Sequence, residues 1–460
     1  MQWRFLVFVN ILLLSGLRLQ AQSSGNIHLR CNWQDTTHEP ALPSGQHWND
    51  VYGFKIHGHE YAVIGGTAGA HVIDIDLCQE KAWLPGPSQG TVHRDFKTFG
   101  HYLYAVADEG RGALQVYDFN YLPDSVHLVY QSDPADFQNA HKIFIDTASA
   151  RLYCASLFSG SAGHSNLRVY SLKNPELPVF LADVTGFDNT SDMYVRHDTA
   201  WCSNGNSGYQ VIDMSALPVT HLLGTLSFYP YKGYNHSSWV GFDGIGVMAD
   251  ETFGMPLKVI DATHSSNIRV ISTFSPRGTD STCFPHNPYL LGHYAVISYY
   301  LDGLQVYDLS DPAAPVQVGY YDTYPGANAQ VFAGAWGCYP YLPSHKILIS
   351  DMESGLYVFD ISEATPKLGI SEFIPGREIY ISPNPVDQTL SLYLPPDIKG
   401  PVKVEVFNMQ AEKLWGFEGS IIPSGNSSME VSLPAVFVPG IYILRATAVG
   451  QRFVARFTKR

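Results

Sequence analysis

The chain has 460 residues, of which 45% are hydrophobic and 15% charged, a composition that supports large cores and excludes a mostly disordered protein. Its formal net charge of −14 argues against nucleic acid or an anionic lipid surface as a partner, and permits cations and neutral ligands. Aromatic residues reach 13%, and 40 Gly with 29 Pro favour short strands joined by tight turns. The composition therefore predicts an all-β protein.

Residues 1–22 are predicted to be a Sec signal peptide that is removed from the mature chain. Arg4 precedes an apolar run at 5–14, which is too short to cross a bilayer, and the segment Leu-Gln-Ala-Gln at 19–22 offers small or polar cleavage positions. No later stretch is long and apolar enough to be a transmembrane segment. We therefore expect export across the inner membrane.

Six cysteines remain in the predicted mature chain, and export permits them to form disulfides. No Cys-x-x-Cys pair is present, so the sequence contains neither a zinc knuckle nor a dithiol redox motif. Spacing leaves the pairing open. Cys31 with Cys78 is one plausible disulfide, which would tie down the N-terminal end.

A segment of the type Gly-hydrophobic-x-Val-(aromatic or Ile)-Asp recurs along the chain at intervals of 42 to 53 residues, the size of a four-stranded propeller blade. An apolar strand precedes each segment, and a turn with another strand follows it. We therefore predict a seven-bladed β-propeller over residues 26–378, closed by pairing of residues 27–30 with the last blade. The aspartate position of the repeat falls at Asp74, Asp118, Ser171, Asp213, Asp261, Asp308 and Asp360.

Part of this repeat carries a family resemblance. The run GLQVYDLSDPAAPVQVG at 303–319 closely resembles the LVIVD repeat, a propeller repeat of bacterial surface proteins. The segments at 31–37, 90–110 and 335–344 are similar to those of the choice-of-anchor B family. The resemblance implies an exported propeller with a separate C-terminal anchoring or sorting region, and it implies no particular chemistry.

The last 80 residues resemble the type A sorting domain of type IX secretion. The resemblance rests on ISPNPVDQTLSLYL at 381–394, on LPAVFVPGIYILRA at 433–446 and on FVARFTK at 453–459, although Ala411 stands where the family usually has a turn glycine. Independently, the strand pattern predicts a small immunoglobulin-like β-sandwich over 379–460. The resemblance implies the type IX machinery as a partner, and a secreted or outer-membrane-surface location in a Gram-negative bacterium.

One position at the start of each predicted innermost strand is followed three residues later by an aromatic side chain. Strand starts lie at the mouth of a propeller's channel, and the loops between second and third strands reach the same face, so we expect the two sets to meet there. The first set comprises Asn49, His93, His141, Ser191, His236, His286 and Trp336. The loop carboxylates are Asp108, Glu109, Asp250, Glu251, Asp351 and Glu353.

Two interpretations of the four histidines stay open. Imidazole and carboxylate ligands suit a divalent cofactor such as Zn or Mn, with His93 and His141 or His236 and His286 as pairs. Alternatively, each histidine hydrogen-bonds within its blade, as in WD-repeat propellers. The aromatic residues three positions later are expected to pack between blades.

The sequence shows neither a Gly-x-Ser-x-Gly elbow nor a His-Glu-x-x-His helix. Without such a motif, we expect a binding or interaction module displayed outside the cell, with an unidentified extracellular ligand. The alternative is a metal-dependent hydrolase or lyase that acts on an extracellular polymer.

Overall fold

The computed structural model describes residues 23–366 and 379–460, except for 36, 111, 148, 162, 186–189, 197, 242, 277–280, 327–328, 383–384, 395–399, 409–412, 422–427, 435–436 and 449–450. The predicted signal peptide and Ala411 lie outside this part. The chain divides into two compact units, residues 1–365 and 366–460. Within the described part, the helical content is one 3₁₀ turn at Ser265–Asn267. No helix there has the length and apolarity to cross a membrane.

The first unit opens with two strands, β1 (Ser24–Gly25) and β2 (His28–Trp33), that join sheets formed by later parts of the chain. The next strands form antiparallel sheets of four consecutive strands each. The first sheet contains β3 (Trp48–Ile56), β4 (His59–Gly66), β5 (Gly69–Asp74) and β6 (Gln79–Pro85). The second contains β7 (Arg94–Phe99), β8 (Tyr102–Ala107), β9 (Gln115–Asp118) and β10 (His127–Gln131).

Three further sheets repeat the same strand order. The third contains β11 (Asn139–Asp146), β12 (Arg151–Ser159), β13 (Gly163–Ser171) and β14 (Val179–Val184). The fourth contains β15 (Asp192–Arg196), β16 (Thr199–Ser203), β17 (Tyr209–Asp213) and β18 (His221–Leu226). The fifth contains β19 (Asn235–Val240), β20 (Ile245–Asp250), β21 (Leu257–Asp261) and β22 (Arg269–Phe274).

The last two sheets of the unit include the N-terminal strands. The sixth contains β23 (Pro288–Leu291), β24 (Tyr294–Ser298), β25 (Leu304–Asp308) and β26 (Val316–Tyr321), with β1 added at the edge. The seventh contains β27 (Ala335–Tyr339), β28 (Lys346–Asp351) and β29 (Gly355–Asp360), and β2 is its fourth strand. The pairing of the N-terminal segment with the last sheet was predicted from the sequence, and the antiparallel pairing of β2 with β29 confirms it.

Solvent exposure changes from the second to the fourth strand of a sheet. All six residues of β8 are buried, whereas four of the five residues of β10 are exposed. Buried clusters mix residues of neighbouring sheets: Tyr104 and Val116 of the second sheet pack with Ile143 and Leu152 of the third. Fully burying such side chains stabilises the fold by about 1.5–3 kcal/mol each. The cores therefore lie between adjacent sheets, where the apolar faces of the repeated strands meet.

The first strands of the sheets contact one another in a closed cycle. Each one contacts the first strand of the next sheet, in the order β3, β7, β11, β15, β19, β23 and β27, and β27 contacts β3. A disulfide between Cys31 and Cys78, with Cα atoms 5.8 Å apart, confirms the pairing favoured from the sequence. The remaining cysteines are buried free thiols. The all-β prediction is confirmed, and the repeated four-stranded sheets are consistent with propeller-like blades.

The second unit contains two antiparallel sheets with one shared core. Their strand orders are β30-β31-β34 and β33-β32-β35-β36. Alternate residues of β32, such as Val402 and Val404, are fully buried together with Leu392 of the other sheet. The strands of the unit are β30 (Tyr380–Ser382), β31 (Thr389–Tyr393), β32 (Gly400–Phe407), β33 (Lys413–Ile421), β34 (Ser428–Ser432), β35 (Gly440–Ala448) and β36 (Gln451–Lys459).

Candidate functional site

The four histidines of the aligned position lie at or next to the N-terminal ends of first strands, and they form two stacked pairs. The ring centroids of His93 and His141 are 4.4 Å apart, with an interplanar angle of 10°. Those of His236 and His286 are 4.5 Å apart, with an angle of 26°. Trp336 lies between the pairs, 5.7 Å from His93 and 4.9 Å from His286. The fold therefore brings all four imidazoles to one end of the cycle of strands.

The first pair includes one loop carboxylate and forms a His93–Asp108–His141 cluster. His141 donates a hydrogen bond from Nδ1 to Asp108 Oδ2 at 2.7 Å. Burial lowers the pKa of His141, but the hydrogen bond and the charge of Asp108 outweigh burial and raise that pKa above its usual value. Burial and the neighbouring His141 hold the pKa of His93 well below its usual range. Asp108 therefore favours the protonated form of His141, whereas burial favours the neutral form of His93.

This arrangement does not suit a shared metal ion. An ion bound by an imidazole nitrogen lies near the plane of the ring, at about 2.0–2.1 Å for zinc. The rings of His93 and His141 are nearly parallel, so their planes do not meet within bonding distance. One ring would have to rotate before both could ligate one ion, and His141 could ligate through Nδ1 only by losing its bond to Asp108. The geometry of this cluster is that of a hydrogen-bonded imidazole–carboxylate pair with a second imidazole stacked on it.

The second pair forms a His236–Glu251–His286 cluster, in which each ring has a nitrogen near the carboxylate. Its rings are also stacked, at 26°, so one of them would have to turn for both to ligate one ion. His236 Nδ1 lies 3.5 Å from Glu251 Oε2. His286 Nε2 lies 3.8 Å from Glu251 Oε1. The ligand atoms of the three residues all lie within 4.8 Å of one another. Two imidazoles and one carboxylate around a common point are a ligand set used by zinc, manganese and non-haem iron sites.

Neighbouring groups orient this cluster. His286 donates a hydrogen bond from Nδ1 to the carbonyl oxygen of Trp336 at 2.6 Å, which leaves the lone pair of the neutral ring on Nε2. Tyr300 donates its hydroxyl to Glu251 Oε1. Burial lowers the pKa of His236 and lowers that of His286 well below its usual range, so both rings are neutral at neutral pH. Such outer hydrogen bonds are typical of metal-ligating histidines.

The other loop carboxylates make intramolecular bonds instead of joining a histidine cluster. Asp250, for example, forms a fully buried ion pair with Lys258 at 3.0 Å. These bonds fix the loops that present Asp108 and Glu251. Glu109 accepts hydrogen bonds from the backbone N–H groups of Val92 and His93. Asp351 accepts one from Ser354 N–H, and Glu353 accepts one from Gly334 N–H.

A buried cluster of charged side chains lies next to the histidines, further along the first strands. The sequence interpretation missed this cluster. Lys142 Nζ donates to Asp50 Oδ2 at 3.2 Å and lies 3.3 Å from Asp95 Oδ1. Burial raises the pKa of Asp50 to about 6, whereas Lys142 and Lys97 hold the pKa of Asp95 below its usual value against the effect of burial. The pattern contained a clue: Asp50 and Lys142 each follow an aligned position by one residue.

The aromatic residues at offset three differ from the prediction. Phe96 and Tyr194 belong to hydrophobic clusters between sheets, as expected. Five others are half-buried and line a cavity at the centre of the first strands, so packing between blades is only part of their role. In β7 the neighbouring Lys97 lines the cavity instead, because side chains alternate between the faces of a strand. The five are Tyr52, Phe144, Trp239, Tyr289 and Tyr339.

A further cluster that the sequence interpretation did not include lies in the N-terminal part of the first unit. Asp35, His38 and His71 bring their ligand atoms together. His71 Nδ1 lies 3.0 Å from Glu80 Oε1, and His38 stacks on Trp83 with centroids 4.5 Å apart. The ring of His71 also contacts Trp33 and Trp48, with centroids 5.0 and 5.4 Å away.

Comparisons with known proteins add little to this geometry. Neither a protein-family model nor a curated protein matches the chain. Among solved structures, the chain is similar to the computationally designed Ika8 protein, with a TM-score of 0.45 and 11% identity. The similarity covers 68% of this chain and 82% of the designed protein. A likeness at this level carries no functional argument.

Proposed function

We propose that the mature protein is a seven-bladed β-propeller that acts outside the cell as a binding or interaction module. Seven sheets with first strands in a closed cycle, and an N-terminal strand that completes the last sheet, support the propeller. The second unit, with two sheets around one core, is proposed to be an immunoglobulin-like type IX sorting domain. Its partner would be the type IX machinery.

The observation that carries a binding function is the His236–Glu251–His286 cluster. Its imidazoles are neutral, its carboxylate is oriented by Tyr300, and its atoms already lie close together. We propose that these three residues bind a divalent cation, Zn or Mn, and that the cation contributes to binding of an extracellular ligand. Three protein ligands would leave coordination positions for that ligand.

Metal titration tests this proposal. Wild-type protein, stripped with a chelator and then given Zn or Mn, should take up one ion that His286→Ala and Glu251→Gln abolish. At 100 times the dissociation constant, binding stabilises the folded state by about 2.7 kcal/mol, which corresponds to a Tm rise of roughly 3 °C for a unit of this size. Isothermal titration and calorimetry measure the two effects.

Two control variants keep the result specific. His93→Ala/His141→Ala should retain the ion, because neither residue belongs to the proposed cation site. His221→Ala removes an exposed histidine from an outer strand and should change nothing. A wild type whose Tm is unmoved by either metal would overturn the proposed cation site. Uptake lost only in the His93/His141 variant would assign the ion to the other pair.

A metal-dependent hydrolase or lyase is the second candidate, because a cation with open positions can activate water. The same variants separate it from the binding module. Cleavage of an extracellular polysaccharide or peptide by metal-loaded wild type, absent in Glu251→Gln, would favour the enzyme. Retained ligand binding without cleavage would favour the module.

A further inference from the structure

A cavity of about 120 Å³ lies at the centre of the first strands, and each of those seven strands contributes to its lining. Six half-buried aromatic side chains line it: Tyr52, Phe144, Trp239, Tyr289, Tyr339 and Tyr341. Trp239 follows His236 by three residues, which places it about 10 Å further along the strand. The cavity is therefore separate from the proposed cation site. Large aromatic faces left partly open around a cavity are typical of ligand sites.

The aromatic rings around the cavity are inclined to one another and are not stacked face to face. The ring centroid of Trp239 lies 5.0 Å from that of Tyr289 and 5.3 Å from that of Tyr341, with interplanar angles of 47° and 34°. On the opposite wall, Tyr52 and Tyr339 are 4.6 Å apart at 57°. Flat apolar faces thus border the cavity from several directions. A ligand there would need an apolar face of its own.

The charges around the cavity come close to balance. Lys97 and Lys142 line it together with Asp192, and Asp50 and Asp95 hold the ammonium group of Lys142. Lys97 is itself 2.8 Å from Asp95 and lies 5.4 Å over the ring of Tyr52. An ammonium ligand would face two lysines, one of which already occupies an aromatic face. An anion would face Asp192 and two lysines that already pair with Asp50 or Asp95. The charge pattern therefore favours a neutral ligand.

Polar groups at the cavity both donate and accept hydrogen bonds. Asp192 accepts from Ser237 Oγ at 2.6 Å and retains further acceptor capacity as a carboxylate. Burial raises the pKa of Tyr289 and Tyr339 well above the usual phenol range, so their hydroxyls stay neutral donors and acceptors. The ligand would need several hydroxyl groups to use this mixture.

We propose that this cavity binds a neutral sugar ring, most simply the end of an extracellular glycan. The C–H face of a pyranose packs on aromatic faces, whose negative π-electron density attracts the weakly positive hydrogens. Its hydroxyls match the mixture of lysine, tyrosine, serine and carboxylate groups. This site goes beyond the proposed cation-dependent function and does not require the cation.

A neutral glycan array on the full mature chain, followed by isothermal titration with the best mono- or disaccharide, tests the proposal. Trp239→Ala should weaken binding by about tenfold or more, since one aromatic contact of this kind is worth roughly 1.4 kcal/mol or about a factor of ten. Trp239→Phe, which keeps an aromatic face, should recover part of the affinity. Tyr289→Ala gives a second measurement if Trp239→Ala does not fold.

Phe228→Ala is the matched control, because Phe228 is 91% exposed and lies outside the cavity. Sugar binding equal in this variant and in wild type, and reduced in Trp239→Ala, supports the site. Failure of folded wild type to bind any neutral sugar overturns the proposal. Trp239-dependent binding of choline chloride without sugar binding also overturns it, because it would identify a cation cage. Loss of metal binding in Glu251→Gln with unchanged sugar binding would show that the two sites are independent.

Discussion

At the scale of residues, the two histidine pairs occupy the same position in neighbouring repeats but differ in electrostatics. A carboxylate at hydrogen-bond distance raises the pKa of His141, whereas burial lowers the pKa of His236 and His286. Asp108 therefore stabilises a charged ring, and Glu251 faces two neutral ones. In the second combination both rings are neutral, whereas in the first the bond to Asp108 favours the protonated form of one ring.

The Asp108–His141 pair predicts a pH-dependent stability. A histidine whose pKa is higher in the folded state stabilises the protein below its unfolded pKa of about 6.5, and that contribution is lost as the pH rises through the folded pKa. Asp108→Asn removes the charge and should lower the free energy of unfolding by about 1–2 kcal/mol at pH 6 and by less at pH 9. Urea denaturation at both pH values measures the difference.

An exposed carboxylate supplies the control for this prediction. Asp124→Asn, on a surface turn, should change the free energy of unfolding little at either pH. Histidine NMR should also show a lower pKa for His141 in the Asp108→Asn variant, although His93, Lys142 and Asp192 still act on that ring. An equal loss of stability at both pH values would contradict the charged pair.

The sequence predicted the residues of the site better than their geometry. Alignment of the first strands identified the four histidines and the carboxylates that contact them. The starts of those strands and the loops between second and third strands meet at the same end of the sheets. It did not predict which carboxylates bond to backbone, since those bonds depend on loop conformation. The alignment also placed Phe96 at the position of the aromatic residues that line the cavity, although its neighbour Lys97 faces the cavity. A one-residue difference in register moves a side chain to the other face.

At the scale of elements, the N-terminal strand is held by a covalent bond as well as by pairing. Cys31 lies in β2 of the seventh sheet, and Cys78 lies in the turn between β5 and β6 of the first. The disulfide thus connects the two sheets at which the chain begins and ends its cycle. The pairing of the N-terminal segment with the last sheet was predicted because it removes an exposed strand edge. The addition of β1 to β26 had no counterpart in the sequence pattern.

Removing this disulfide should destabilise the first unit. The cysteines are separated by 47 residues. The chain-entropy model gives about 4 kcal/mol for a loop of that length. Cys31→Ser/Cys78→Ser should therefore lower the urea midpoint, measured by near-UV circular dichroism.

A reductant provides the internal control. Dithiothreitol should lower the midpoint of the wild type toward that of the double variant and leave the variant unchanged, because the other cysteines are buried free thiols. Equal midpoints for oxidised wild type and the variant would show that pairing of β2 with β29 holds the strand without the covalent bond.

At the scale of the whole molecule, the repeat period and the strand pattern of the last 80 residues predicted an all-β chain. The structure agrees, with a separate compact unit at the C-terminal end. The central cavity could not be predicted, since it depends on side chains from seven strands spread over nearly 300 residues. Only the closed cycle of first strands brings Tyr52 and Tyr341 to one cavity.

The division into two units makes the proposed export route testable. Each unit has its own buried core, so deletion of 379–460 should leave the first unit folded. In a Gram-negative host with a type IX system, the truncated protein should remain in the periplasm, and the full chain should reach the cell surface or the medium. A reporter enzyme fused to 379–460 should be exported by wild-type cells and retained in a type IX mutant. Surface protease accessibility and fractionation measure both results. Truncated protein on the cell surface, or a retained fusion in wild-type cells, would contradict a sorting function for the second unit, because the information for export would then lie in the first.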